Sequence, residues 1–138
     1  MLTDFVDVAE HLVAAGWSST DTLAISGRSA GGLLMGNAAT THRNNSGRMF
    51  AAVPFVDMMV SMCDSSIPLT TGEWEEWGNP NESEYYEYML SYGPMENIAD
   101  GPKPEVLITA GLHDPRVAYW EAAKYAARLR AADRSTDS

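Results

Sequence analysis

The sequence predicts an α/β protein with a parallel sheet, because apolar runs of strand length alternate with segments of helical periodicity. Three strand candidates support this: residues 22–27 (TLAISG), 49–57 (MFAAVPFVD) and 104–111 (PEVLITAG). Three strands make a small parallel sheet, and the chain starts within a helical pattern. We therefore expect an incomplete sheet with flanking helices that belongs to a larger domain.

Helical segments alternate with these strands. The first helix is predicted to end at Gly16 and to bury four residues at helical spacing: Phe5, Val8, Leu12 and Ala15. A second helix is predicted over 30–43. The last, over 117–132, has another such face: Val117, Trp120, Ala123 and Ala127. Residues 58–104 are expected to be irregular, apart from a short helix over 83–90 that packs its aromatic side chains.

Composition and charge exclude several classes of function. The net charge of −10 over 138 residues argues against a nucleic-acid partner, because phosphate binding needs a basic face. Cys63 is the single cysteine, which fits a reducing compartment. There is no bilayer-length apolar run and no signal-peptide pattern. We expect a cytoplasmic, single-domain protein without membrane association, and the absence of metal-ligand spacing or a phosphate-binding glycine loop predicts no metal and no cofactor.

The strongest functional pattern is Gly-Arg-Ser-Ala-Gly at residues 27–31, between a predicted strand and a predicted helix. G-x-S-x-G in this context is typical of a nucleophile elbow, in which small residues on both sides of the serine give the backbone clearance. The pattern favours Ser29 as a nucleophile and the Ala30 N–H as an oxyanion donor. The alternative is a glycine-rich turn with an idle serine.

Chain order identifies a candidate acid. In the α/β-hydrolase fold, the acid follows the serine at the end of a later strand, and the histidine comes last. Asp114 lies just beyond the third strand candidate and can orient a histidine from there. Taken alone, it would be interpreted as a turn aspartate before Pro115. Together with the elbow, the catalytic interpretation is favoured.

No histidine follows Asp114. The chain has three: His11, His42 and His113. His11 is expected on the solvent side of the first helix, and His42 lies about two turns or more from Ser29 along the second helix. His113 adjoins Asp114, and neighbours in a tight turn rarely face one another as base and orienter. We therefore expect the general base to lie outside this chain.

Several collinear blocks resemble one family: GRSAGGLLMG, VPFVDMM, SIPLTTGEWEEWGNP, SYGPMENI and PEVLITAGLHDPRVAYWEAAKYAARLR. They are similar to the catalytic domain of the prolyl oligopeptidase family of serine peptidases, in particular its oligopeptidase B branch. The resemblance implies a partial α/β-hydrolase fold with Ser29 as nucleophile and Asp114 as triad acid. It places residues 1–138 in the centre of that domain, with the N-terminal β-propeller, an oxyanion-hole tyrosine and the histidine-bearing segment outside the chain.

The resemblance also implies substrate-binding residues. GEWEEWGNP alone would be interpreted as a solvated acidic turn, but the family holds a basic P1 side chain with two glutamates that Glu73 and Glu75 match in position. Arg116 would otherwise be a surface arginine at the start of a helix, and the resemblance implies that it binds a substrate carbonyl. The expected partners are short peptides, cleaved after Lys or Arg.

Two alternatives stay open. An esterase or acylaminoacyl-type hydrolase on the same fold would share Ser29 and Asp114 but have no use for the glutamate pair. A non-catalytic remnant or binding module would keep the fold without the chemistry, and the lack of a histidine after Asp114 favours it for the chain taken literally.

We expect the isolated chain to hydrolyse peptides negligibly, because Ser29 without a general base is a weak nucleophile. The measurement is turnover of a fluorogenic Arg-amide by the purified chain, with Ser29→Ala as the control. Turnover that depends on Ser29 would contradict this and would mean that one of the three histidines serves as base.

Overall fold

The computed structural model describes residues 2–41 and 47–134. His42 lies outside these ranges. The described part contains three strands: β1 (Ala24–Arg28), β2 (Arg48–Ala52) and β3 (Glu105–Thr109). It also contains six helices: α1 (Leu2–Ala14), α2 (Ala30–Thr41), α3 (Met58–Cys63), α4 (Thr70–Trp77), α5 (Ser83–Tyr92) and α6 (Tyr119–Ala132). No helix in these ranges is long and apolar enough to span a membrane.

The strands form one parallel sheet in the order β1-β2-β3, which confirms the predicted fold class. Ile25, Met49 and Val106 are register partners across the sheet. β2 ends at Ala52, so Pro54 lies outside the ladder, as expected of a residue without a backbone N–H. Gly16 adopts a φ of 75° beyond the end of α1, as its predicted role as a helix stop requires.

Helices cover only one face of the sheet in the described part of the chain. Ile25, Met49 and Ala51 on that face are buried against α2 and α6. On the opposite face, Phe50 is 39% exposed and Leu107 is 60% exposed. These two residues are register partners, so their side chains form a continuous apolar patch. Parallel sheets are normally covered on both faces, so the open face agrees with the predicted incomplete sheet with flanking helices.

The predicted helix faces are rotated from the observed ones. In α1, Val6 and Ala9 are buried, whereas Val8 is 59% exposed and Ala15 is also exposed. α6 starts two residues later than predicted, and its buried residues are Glu121, Ala122, Tyr125, Leu129 and Ala132. Trp120, Ala123 and Ala127 are exposed instead. The error in α6 has a clear cause: the pattern treated Glu121 as a surface residue, but its carboxylate is hydrogen-bonded inside the protein.

The region expected to be irregular contains two further helices, α3 and α4. α3 has no polar face to reveal it, because Met58, Met59 and Met62 are all buried in a second apolar cluster. Leu33 of α2, Met89 of α5 and the two tryptophans of α4 join that cluster. The aromatic residues of α5 pack less than predicted: Tyr85, Tyr86 and Tyr88 are all exposed.

Replacing the apolar patch by a charge pair, Phe50→Lys with Leu107→Glu, should reduce self-association of the chain. Arg48 and Glu105 already pair on this face at 3.0 Å, two residues before Phe50 and Leu107 on the same strands. The new pair would place a second ion pair beside the first on the same two strands and would remove exposed apolar surface. Sedimentation velocity should show less oligomer without a lower melting temperature. Phe50→Leu with Leu107→Ile is the matched apolar control, and equal association of the two double variants would refute the prediction.

Candidate active site

Ser29 lies at a sharp turn between β1 and α2. Its φ is 53°, in the left-handed region that non-glycine residues rarely adopt. Its N–H donates to Ala52 O at 3.1 Å, and its carbonyl accepts from Gly32 N at 2.8 Å and from Phe55 N at 3.1 Å. The backbone is thereby fixed against β2, α2 and the segment after β2, while the residue stays exposed. This is the geometry of a nucleophile elbow.

Two glycines provide the clearance for this turn. A Cβ on Gly27 would lie 2.2 Å from Gly31 O and 2.7 Å from Met35 Cγ, and one on Gly32 would lie 2.5 Å from Pro54 Cα. A Cβ on Gly31 would meet nothing within 4 Å. Small residues are therefore required at Gly27, before the serine, and at Gly32, after it. Gly31, the last glycine of the motif, is not the residue that provides the clearance.

Ala30 is the first residue of α2. Its N–H is one of the four at a helix start that have no acceptor within the helix, and the helix dipole adds positive potential there. An anion that forms next to Ser29 would lie close to this N–H, and the role of Ala30 as an oxyanion donor stays a prediction.

A cavity of about 120 Å³ opens beside the elbow. Four of the six residues predicted for the site line it: Ser29, Ala30, Glu73 and Arg116. Phe55 and Trp77 supply aromatic walls. Glu73 is the single carboxylate, and no histidine is present, among the described residues that line the cavity. The nucleophile and one acidic side chain therefore share a single cavity.

Glu73 and Glu75 do not share that cavity. The segment expected to be an acidic turn is the helix α4, in which residues two apart point in nearly opposite directions. Both side chains are exposed, but only Glu73 is part of the cavity lining. The carboxylate of Glu73 is held in place, because Trp77 Nε1 donates to its Oε2 at 2.9 Å.

Asp114 follows β3 at the same edge of the sheet at which Ser29 follows β1, because the strands are parallel. Its Oδ1 accepts from Val117 N at 3.0 Å and from Arg116 N at 2.9 Å. These backbone bonds hold the pKa of the Asp114 carboxyl below its usual range, and Arg116 and Arg28 act in the same direction. Asp114 therefore stays ionised at neutral pH, as an orienter of histidine requires.

Asp114 does not line the cavity itself. Its carboxylate accepts hydrogen bonds within the turn from which Arg116 and Val117 reach the cavity wall. Asp114 is therefore a turn aspartate, which was the alternative interpretation of the sequence. That role uses Oδ1 and leaves Oδ2 to accept from a histidine N–H. His11 and His113 are both exposed. The part of the chain that the structure describes contains no group of three or more metal-binding side chains.

Glu121 is a residue of the site region that the sequence did not reveal. It is fully buried on α6, and its Oε2 accepts from Val56 N at 3.1 Å and from Asp57 N at 3.0 Å. Its Oε1 accepts from Ser61 Oγ at 2.6 Å. Burial raises the pKa of Glu121, against the effect of these hydrogen bonds. Through them α6 is joined to residues 53–63 after β2, which include three cavity-lining residues: Phe55, Ser61 and Met62.

Strained backbone is concentrated around the cavity. In the described ranges, three residues other than glycine have positive φ: Ser29 at 53°, Val53 at 41° and Leu69 at 74°. Ser29 and Leu69 line the cavity, and Val53 lies two residues before Phe55. A left-handed conformation costs an ordinary residue on the order of 1–2 kcal/mol, and such strain is typical of functional sites.

A parallel sheet with a serine elbow at the carboxyl ends of its strands is part of an α/β-hydrolase fold. The family model described as "Prolyl oligopeptidase family" matches residues 1–137. The chain belongs to the prolyl oligopeptidase family.

Curated relatives and solved structures agree. The chain is 49% identical over 133 residues to protease 2 of Moraxella lacunata, covering 94% of this chain and 19% of that protein. It is 47% identical over 128 residues to dipeptidyl aminopeptidase BI of Pseudoxanthomonas mexicana, covering 93% and 18%. The structure of oligopeptidase B from Leishmania major matches with a TM-score of 0.94 at 53% identity, covering 98% and 19%. The chain thus spans about a fifth of the length of these proteins.

Glu121→Ala should lower the free energy of unfolding by about 3 kcal/mol or more, because two buried N–H groups and one hydroxyl lose their acceptor. Glu121→Gln keeps one oxygen and should cost less. Urea unfolding followed by circular dichroism measures both, with the exposed Glu75→Ala as control.

The pH dependence provides a second test of Glu121. Its pKa is higher in the folded than in the unfolded state, so its contribution to stability is complete below about pH 4 and is lost as the pH rises through the folded pKa. Glu121→Gln should remove that part of the slope. An unchanged slope would show that the carboxylate does not titrate with folding.

Proposed function

We propose that this chain is the serine- and aspartate-bearing part of a longer serine peptidase that cleaves short peptides after Lys or Arg. One observation supports it above all: Ser29 and the Glu73 carboxylate line the same cavity. An esterase for neutral acyl groups would have no use for that carboxylate. The likeness to oligopeptidase B and protease 2 points in the same direction.

The proposed chemistry is acyl transfer through Ser29. Its Oγ attacks the scissile carbonyl while the Ala30 N–H stabilises the oxyanion. A histidine from outside this chain accepts the serine proton and passes it to the leaving amine, and Asp114 orients that histidine. Water then attacks the acyl-enzyme and regenerates the serine.

Specificity is assigned to the cavity. A Lys or Arg side chain at P1 would place its cation against Glu73 in a charge-assisted hydrogen bond. The aromatic walls formed by Phe55 and Trp77 suit its aliphatic stem. Arg116 lies in the same lining and is suited to bind a backbone carbonyl of the substrate. Glu75, outside the lining, would contribute its negative potential over a longer distance.

Glu73→Gln in the full-length peptidase should lower kcat/KM for an Arg-amide about thirtyfold, since a hydrogen bond to a charged group contributes ~2 kcal/mol. Glu75→Gln should lower it less, because that side chain does not line the cavity. The measurement is steady-state hydrolysis of paired Arg-amide and Leu-amide substrates.

The Leu-amide is the internal control and should be hydrolysed at the parental rate by both variants. Equal losses on both substrates would show that Glu73 has a structural role only. A complete lack of Ser29-dependent hydrolysis in the full-length protein would instead favour the non-catalytic alternative.

A further inference from the structure

Trp77 forms a hydrogen bond with the Glu73 carboxylate, the group that we propose binds the P1 cation. Its indole N–H donates to Glu73 Oε2 at 2.9 Å, one turn earlier on α4, and both residues line the cavity. An indole N–H can only donate, so the bond requires an acceptor at this position. It favours the rotamer of Glu73 that places Oε2 at the indole N–H, and it leaves Oε1 for another partner.

Trp77 is itself fixed relative to the nucleophile. Its ring meets Phe55 edge-on, with centroids 6.2 Å apart and planes at 71°, and Phe55 N donates to Ser29 O at 3.1 Å. α4 ends directly after Trp77 at Gly78, whose φ is 100°. A Cβ on Gly78 would lie 2.3 Å from the Tyr85 ring, so close packing fixes that end of the helix. A continuous series of contacts therefore joins Ser29 to Glu73.

We infer that Trp77 is a positioning residue for P1 specificity, which holds the Glu73 carboxylate at a set place relative to Ser29. The inference rests on the proposed function of Glu73. A glutamate exposed to solvent samples several rotamers, and binding a cation to one of them requires that freedom to be lost. Trp77 restricts the side chain before substrate arrives, so less ordering is left for the binding step.

Trp77→Phe tests this in the full-length peptidase, because phenylalanine keeps an aromatic ring and lacks the N–H. We expect KM for an Arg-amide to rise about fivefold with kcat unchanged. A change of this size corresponds to the free-energy cost of immobilising one side chain. A Leu-amide offers Glu73 no cation and reports what the altered cavity wall does by itself, so its KM should rise less than that of the Arg-amide. Trp74→Phe is the matched control: it lies on the same helix and loses an indole N–H that donates to Met62 O at 3.1 Å and not to Glu73.

A double-mutant cycle separates positioning from direct contact with substrate. In a Glu73→Gln background, Trp77→Phe should add no further loss of Arg selectivity. A loss of Arg selectivity that persists in full would mean that Trp77 acts on the substrate cation without Glu73 and would overturn the inference. Equal losses on Arg and Leu substrates would overturn it too. If the phenylalanine variant fails to fold, benzothienylalanine at position 77 keeps the ring shape without the N–H and takes its place.

The cycle also distinguishes this inference from the proposed function. If Glu73→Gln itself leaves Arg selectivity intact, the proposed function fails, and the inference fails with it. If Glu73→Gln reduces Arg selectivity and neither Trp77 variant does, the positioning role alone is wrong.

Discussion

The main chain of Ser29 is the constraint on which the rest of the site depends. One peptide N–H and one carbonyl join β1 to β2, begin α2 and hold Phe55 in place. These bonds require a left-handed backbone at Ser29, and the clearance for it comes from Gly27 and Gly32. A larger residue at either glycine would push apart main-chain atoms, so the turn cannot relax without moving the sheet.

The buried carboxylate of Glu121 connects α6 to the segment after β2, which lies beside the elbow. Glu121 accepts two backbone N–H groups and a hydroxyl from the segment after β2. Lys124, three residues further along α6, also bonds Asp57 in the same segment. α6 follows directly from the turn that contains Asp114 and Arg116, so its attachment also determines where that turn lies relative to the elbow. Packing alone is less directional than these bonds.

The strands, the elbow and the parallel sheet were predictable, because each has a local signal: an apolar run, a glycine motif, a strand end. α3 and α4 were not, since the exposed side of the short helix α3 carries Val60 instead of a charged residue and Gly72 interrupts the pattern of α4. The buried face of α6 was missed because Glu121 is polar in sequence and internal in structure. Which of the two glutamates lines the cavity depends on the helix α4, which the sequence pattern did not reveal. The separation of Glu73 from Glu75 could therefore not be predicted.

Strained backbone at Ser29, Val53 and Leu69 has a consequence for protein engineering. Selection for heat resistance favours residues that tolerate positive φ, such as glycine or asparagine. At Ser29 and Leu69 the same exchange removes a side chain from the cavity wall, so a gain in heat resistance there would oppose the proposed activity. Val53 lies outside that wall, and it is the position of the three where the strain can be relieved without altering the cavity surface.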